Sequence, residues 1–142
     1  MADPLSITAS IIAVIQATSK VVSLCYDYRS GLKNAPSEMK QLTDEITSLR
    51  DILESILKLV DEGGTEYTYL PTLKILTQSD GVLPKCKAEM TLLETDLKPV
   101  TGIRAVARTL KWPYARGEVE KKVERLGRLK SSLTLALAID HT

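Results

Sequence analysis

The side chains able to do covalent or proton chemistry are few and poorly placed for it. The single histidine, His141, is the penultimate residue of 142, and a chain end leaves a side chain in solvent rather than in a pocket. A histidine base at a buried site is therefore not expected. Cys25 stands in an apolar run and Cys86 on an apolar seam, without metal-ligand spacing around either. Both read as buried, reduced thiols, which favours an intracellular protein. No CxxC pair, HExxH, G-x-S-x-G, phosphate loop or GxGxxG occurs. Gly63-Gly64 is too short to cradle a phosphate and reads as a helix stop. Nearby carboxylates, Asp44 with Glu45 and Glu118 with Glu120, share helix faces with lysine and arginine and read as solvated charge. The expectation is a protein that is not an enzyme and uses no metal or cofactor.

Two other constellations carry physical meaning. The first is an uncharged run from Pro4 to Ser19. As a helix it is about 24 Å long at about 1.5 Å per residue, short of the roughly 30 Å hydrocarbon core of a bilayer. Continuing past Lys20, whose stem can snorkel, to Tyr26 reaches spanning length. A buried core helix has the same composition, so both readings stand. The second is the cationic stretch Lys98, Arg104, Arg108, Lys111 and Arg116, which holds the only tryptophan, Trp112, and no acidic residue between Asp96 and Glu118. Anionic lipid headgroups attract such a stripe at about 1 kcal/mol per basic residue near the surface. Pairing with acidic faces of neighbouring helices is the alternative. Nucleic acid fits less well: the stripe is short, aromatics are few, and the net charge is only +1.

The elements that must position these residues are all helices. Asp3 before Pro4 is a helix start, since the carboxylate caps free amides and proline at the first position loses no hydrogen bond. This first helix runs to about Tyr28 and is apolar around nearly its whole circumference, with small Ser and Thr between the large residues. Gly31 and Asn34 suit the turn that follows. From Pro36 or Ser37 to Gly63, the residues Met39, Leu42, Ile46, Leu49, Leu53, Ile56 and Val60 repeat at alternating steps of three and four, a heptad seam. Thr65 to Asp80 leaves room for one short accessory helix. The seam resumes at Leu83, Cys86, Met90, Leu93 and Leu97, with Pro84 tolerated in the first turn. Thr101 to Lys111 forms a second short segment, ended by Trp112-Pro113-Tyr114. A last helix from about Arg116 to Ile139 turns Val119, Val123, Leu126, Leu129, Leu133 and Leu137 inward. Gly127 in its interior suggests a close helix crossing.

No β-type alternation, repeat or low-complexity linker interrupts this order. The fold class is all-α: one domain over 1–142, a bundle of four main helices with one or two accessory helices and the first helix central. At 142 residues with 44% hydrophobic and 26% charged content, the chain buries about 68–70% of its unfolded surface without disulfides. The start Met1-Ala2-Asp3 is acidic and places no glycine second in the chain, so neither export nor myristoylation is indicated.

The opening Asp3-Pro-Leu-Ser-Ile-Thr-Ala-Ser-Ile-Ile-Ala-Val-Ile-Gln16, with Leu110-Lys-Trp-Pro-Tyr114, Glu118-Val119 and Leu129-Lys-Ser-Ser-Leu-Thr-Leu-Ala-Leu137, resembles the HeLo-like N-terminal domain of fungal STAND proteins, the NOD-like receptors of fungi. The resemblance covers the whole chain and is carried by its two ends. It implies a bundle related to fungal cell-death and heterokaryon-incompatibility proteins, and similar to the executioner domains of animal necroptosis effectors and plant resistance proteins. Such a bundle is held inactive until a NACHT-type receptor or an amyloid-signalling template drives it to oligomerise. Its N-terminal helix then enters the plasma membrane. Carried over to this sequence, the inserting face is Leu5, Ile7, Ile11, Ile12, Val14 and Ile15. The resemblance assigns no role to Lys98, Arg104, Arg108, Lys111, Trp112 and Arg116, whose docking on headgroups rests on their charge alone.

Two functional expectations follow. One is a cytoplasmic cell-death effector module, the N-terminal part of a longer protein, that self-assembles and associates conditionally with anionic lipid at the plasma membrane. The other is a non-lytic interaction module that oligomerises through its helix seams. The partners expected are further copies of the chain, anionic lipids and a downstream NACHT-type or amyloid-signalling module, and no nucleic acid.

Overall fold

The computed structural model describes residues 4–31, 37–63, 78, 81–97, 114 and 116–141. They form four helices: α1, Pro4–Gly31; α2, Ser37–Gly63; α3, Val82–Leu97; and α4, Arg116–His141. Among the described residues there is no strand. The two accessory helices expected around 65–80 and 101–111 fall outside the described residues.

Each helix begins where its sequence supplies a start. Proline opens α1, and Ser37 with Glu38 in the first turn opens α2, a hydroxyl and a carboxylate suited to the free amides there. Ahead of α3 the amide of Gly81 donates to the Gln78 carbonyl at 2.7 Å and the amide of Lys85 to the Gly81 carbonyl at 3.3 Å. That turn sets the first helical residues, and Pro84 sits among them without removing a bond.

The heptad seams become the core residue by residue. Met39, Leu42, Ile46, Leu49, Leu53 and Ile56 of α2 are buried, as are Leu83, Cys86, Met90, Leu93 and Leu97 of α3. From α4 come Val119, Leu126 and Leu133, with Val123 and Leu129 packed at their flanks. α1 contributes Ile11, Val14, Thr18, Val21, Val22 and Cys25. Burying each Leu, Ile or Met side chain contributes about 1.5–3 kcal/mol. Thr18 is the buried polar residue of this set, and its hydroxyl donates to its own helix, to the Ile15 carbonyl at 2.6 Å. That bond removes the cost of an unmet hydroxyl in an apolar wall.

Contacts between helices fix a two-by-two arrangement. α1 packs along α2 and α3, while α4 packs along α2 and, less extensively, α3. α1 and α4 therefore occupy opposite corners, as do α2 and α3. Lys20 is level with Glu94, and Ala9 to Val14 with Leu83 to Lys87, so α1 and α3 run parallel. Lys130 is level with Glu45 and Ser48, and Leu135 with Ile52, so α2 and α4 also run parallel. Arg125 meets Glu89 while Tyr114, ahead of α4, meets Asp96, an antiparallel pair. The chain goes up, down, up and down, and crosses between opposite corners from α2 to α3.

The first helix, expected to be the central or most enclosed member, takes a corner of the two-by-two bundle, packed along both α2 and α3, with about a third of Thr8–Asp27 buried. Its small and polar residues make that possible: Ala9, Gln16, Ser19 and Ser23 are exposed. Gly127 was expected at a close crossing. A Cβ built there meets only the Glu45 carboxylate, at 3.8 Å, an ordinary contact. Gly127→Ala is accordingly expected to stabilise the bundle by about 1 kcal/mol, read as a higher melting temperature; an unchanged or lower one means the backbone at 127 is needed.

Candidate functional site

α1 differs from α2 and α4 in what it shows to water. The exposed face of α2 carries Lys40, Asp44, Asp51, Glu54 and Lys58, and that of α4 carries Glu118, Glu120, Lys121, Glu124, Arg125 and Arg128. The exposed residues described in α1 are Ala9, Ile12, Gln16, Ser19, Lys20, Ser23, Tyr26 and Asp27. Thr8–Asp27 is long and apolar enough to cross a membrane, a description that the core helix of a soluble protein also meets.

Of the six residues expected on an inserting face, the four whose side chains are described do not share one face. Ile11 and Val14 are buried in the core, Ile15 is half-buried, and Ile12 is 38% exposed. At 100° per residue an apolar circumference cannot all point one way. Leu5 and Ile7 belong to α1, but their side chains lie outside the described residues. Of the headgroup candidates, Lys98, Arg104, Arg108, Lys111 and Trp112 lie outside the described residues, as does the side chain of Arg116, which opens α4.

Among the described residues, polar contacts join α1 to both its neighbours, Cys25 to Thr43 of α2 and Lys20 to Glu94 of α3. The Lys20 ammonium reaches Glu94 on α3 at 2.7 Å. Lys20 is largely exposed, so the pair contributes at most about 1 kcal/mol. The α2–α4 side is tied by Lys130, which contacts Glu45 at 2.8 Å and donates to the Ser48 hydroxyl at 3.1 Å. Arg125 and Glu89, at 2.9 Å, tie α3 to α4.

A second clamp closes the far end of the bundle. Tyr114 is 8% exposed. Its hydroxyl donates to Asp96 Oδ2 at 2.8 Å, and Lys122 Nζ lies 5.0 Å from the ring centroid, within cation–π range. Burial first, then the hydrogen bond to the Asp96 carboxylate, pushes the phenol well above its usual range. Cys25 of α1 lies close by; burial raises its thiol, and a hydrogen bond with Thr43 offsets part of that. Burial, and then the Glu89 charge, pushes the Cys86 thiol up to about 12. Both thiols are free and buried, which suits core residues and not nucleophiles. In the sequence Tyr114 ends a segment and belongs to the Leu110-Lys-Trp-Pro-Tyr114 motif, with no packing role assigned to it. Its position two residues ahead of α4, with Val119 at the fourth helical position, is the spacing of a hydrophobic staple. Both side chains are buried. That signal was readable; the Asp96 partner, on another helix, was not.

Two clefts open between neighbouring helices toward the end that holds the α3 N-terminus. One, of about 330 Å³, lies between α1 and α3 and is lined by Ala9, Ser10, Ala13, Val14, Leu83, Pro84 and Lys87. The other, of about 580 Å³ and wider, lies between α2 and α4 at Ser48, Ile52, Lys130, Ser131, Thr134 and Leu135. Among the described residues no three His, Cys, Asp or Glu side chains come together as a metal cluster would.

The architecture defines an all-α, bundle-type module whose distinguishing element is a weakly charged first helix held at a corner. The chain belongs to the family described as Pigment biosynthesis cluster protein PigL N-terminal, whose family model matches residues 2–140, and it is a fungal-type domain. No curated protein matches the chain, and no solved structure does.

Proposed function

We propose that this chain is a cell-death or innate-immunity effector module of the HeLo-like type found in fungal NOD-like receptors. On activation it self-assembles, and α1 leaves its corner to enter or lie on an anionic plasma membrane. The observation that carries the reading is the outward face of α1. It has water on one side yet, among the described residues, shows only Lys20 and Asp27 as charges, where α2 and α4 show many. To exchange the bundle for lipid, such a helix gives up its buried apolar face and its polar contacts, the exposed Lys20–Glu94 pair among them. Lys98, Arg104, Arg108, Lys111, Trp112 and Arg116 are assigned to the headgroups on their charge and on Trp112, an interfacial anchor.

The family is named for the N-terminal part of a protein. That supports reading the module as one part of a longer protein, in which a NACHT-type or amyloid-signalling unit triggers assembly. A resting cytoplasmic location and conditional membrane association follow from the same reading. The pigment cluster in the name belongs to the namesake protein and assigns no reaction to this bundle.

The test is leakage of dye-loaded vesicles, with the chain fused to an inducible oligomerisation tag. Vesicles rich in anionic lipid are expected to leak on induction, and neutral vesicles far less. Anionic vesicles that stay sealed while the chain assembles overturn the proposal. They leave the non-lytic interaction module, which the exposed Leu92 on α3 and Leu135 on α4 favour, as the standing account.

A further inference from the structure

The two clefts differ in one chemical respect. In the α2–α4 cleft the one cation, Lys130, already has Glu45 and Ser48 as partners. In the α1–α3 cleft the cation, Lys87, is exposed, and its ammonium has no carboxylate among the described residues. The first turn of α3 holds no acidic residue. Behind Lys87 the walls are mostly hydrocarbon, Ala9, Ala13 and Val14 on one side and Leu83 and Pro84 on the other, with Ser10 as the one other polar residue of the described lining. Ala9 and Ala13 stand where larger residues would close the gap between two parallel helices. At about 330 Å³ the space falls at the lower end of small-molecule pockets, about 300–1,000 Å³.

We propose that the α1–α3 cleft binds a single-chain anionic amphiphile, a medium-chain fatty carboxylate, with its tail between the helices and its head at Lys87. A mostly apolar slot ending at an ammonium with no carboxylate partner among the described residues complements that ligand in both shape and charge. A neutral alcohol of equal chain length lacks the head contact, and a two-chain lipid is too large for the slot. Because the ligand touches α1 and α3 together, it binds only the assembled bundle, and mass action raises the unfolding midpoint with ligand concentration. The proposal stands apart from the membrane reading, since it concerns the resting bundle in solution without vesicles.

The test uses decanoate below its micelle-forming concentration, followed by methyl NMR and thermal melting. Saturable shifts are expected at the Ala9, Ala13, Val14 and Leu83 methyls, with a rising melting temperature. Decanol should bind several-fold more weakly. Lys87→Glu, at an exposed position, should leave the ligand-free melt unchanged and weaken decanoate at least tenfold. Ala13→Leu, which fills the slot, should do the same to affinity. Shifts of equal size at the exposed Leu92 and Leu135, shifts that do not saturate, or undiminished binding by Lys87→Glu would each show non-specific adsorption and overturn the proposal. A response to anionic vesicles but not to dissolved decanoate overturns it as well, by making the bilayer the occupant.

Discussion

Ile11→Glu is expected to leave no folded resting bundle, while Ile12→Glu, one residue further on, folds normally and loses membrane activity. Ile11 is fully buried. A carboxyl there must either ionise in an apolar core or stay protonated with a pKa raised by several units, a cost of about 4–7 kcal/mol. That is comparable with the whole stability of a domain, about 5–15 kcal/mol. Ile12 is 38% exposed, and a polar group at such a position changes folding by about 0.5 kcal/mol. In a bilayer the ranking reverses, because α1 as a membrane helix has no dry and wet sides. An acidic residue well inside the hydrocarbon costs about 3 kcal/mol, more than a hundredfold in an insertion equilibrium. Circular dichroism and melting should separate the two variants in solution, and vesicle leakage should then be lost with Ile12→Glu. If Ile12→Glu folds and still permeabilises anionic vesicles at the wild-type dose, α1 is not the element that enters lipid.

The same pair of residues shows where sequence reading stops. In α2 and α3 polar residues separate the apolar positions, so period alone puts Met39 through Val60 and Leu83 through Leu97 in the core; all are buried except Val60, which is partly buried and packs against it. α1 lacks that contrast. With Ile at both 11 and 12 and Val at both 21 and 22, periodicity offers no direction; only the shapes of α2 and α3 decide that Ile11 is enclosed and Ile12 is not. Thr18 is one of the small polar residues set between the large ones in the sequence; its hydroxyl bonds within its own helix, so the side chain can be buried. In α4 the uncharged end is equally mute: Leu133 is enclosed and Leu135 is 62% exposed. Four helices follow from periodicity and stop signals. Their two-by-two order does not, because it depends on which seam meets which, as in Lys20 with Glu94 and Lys130 with Glu45.

Tyr114→Ala is expected to be the most damaging change at the opposite end, and alkali should reach the same clamp without any mutation. Losing the ring from a buried site costs about 3–5 kcal/mol; Tyr114→Phe, which keeps the ring and removes the hydroxyl with its bond to Asp96, costs about 1 kcal/mol. Asp96 is exposed and recovers water, so the smaller figure applies to the hydroxyl alone. The pH dependence follows from proton counting. Tyr114, Cys25 and Cys86 all hold their protons more tightly folded than unfolded. Their contributions are complete below the unfolded values, 9.0 for the thiols and 10.0 for the phenol. Each is lost as pH rises from there toward the folded value, which for Cys86 is about 12. Every such group removes about 1.4 kcal/mol per pH unit across its window. Stability from urea midpoints should therefore be level up to about pH 8.5, fall from about pH 9 with the thiols, and steepen above about pH 10 with the phenol. Tyr114→Phe should abolish the steeper limb and leave the earlier one, while Cys86→Ala should flatten the earlier one. A Tyr114→Phe curve as steep above pH 10 as the wild type places the alkaline transition elsewhere and removes Tyr114 as the clamp on α3 and α4.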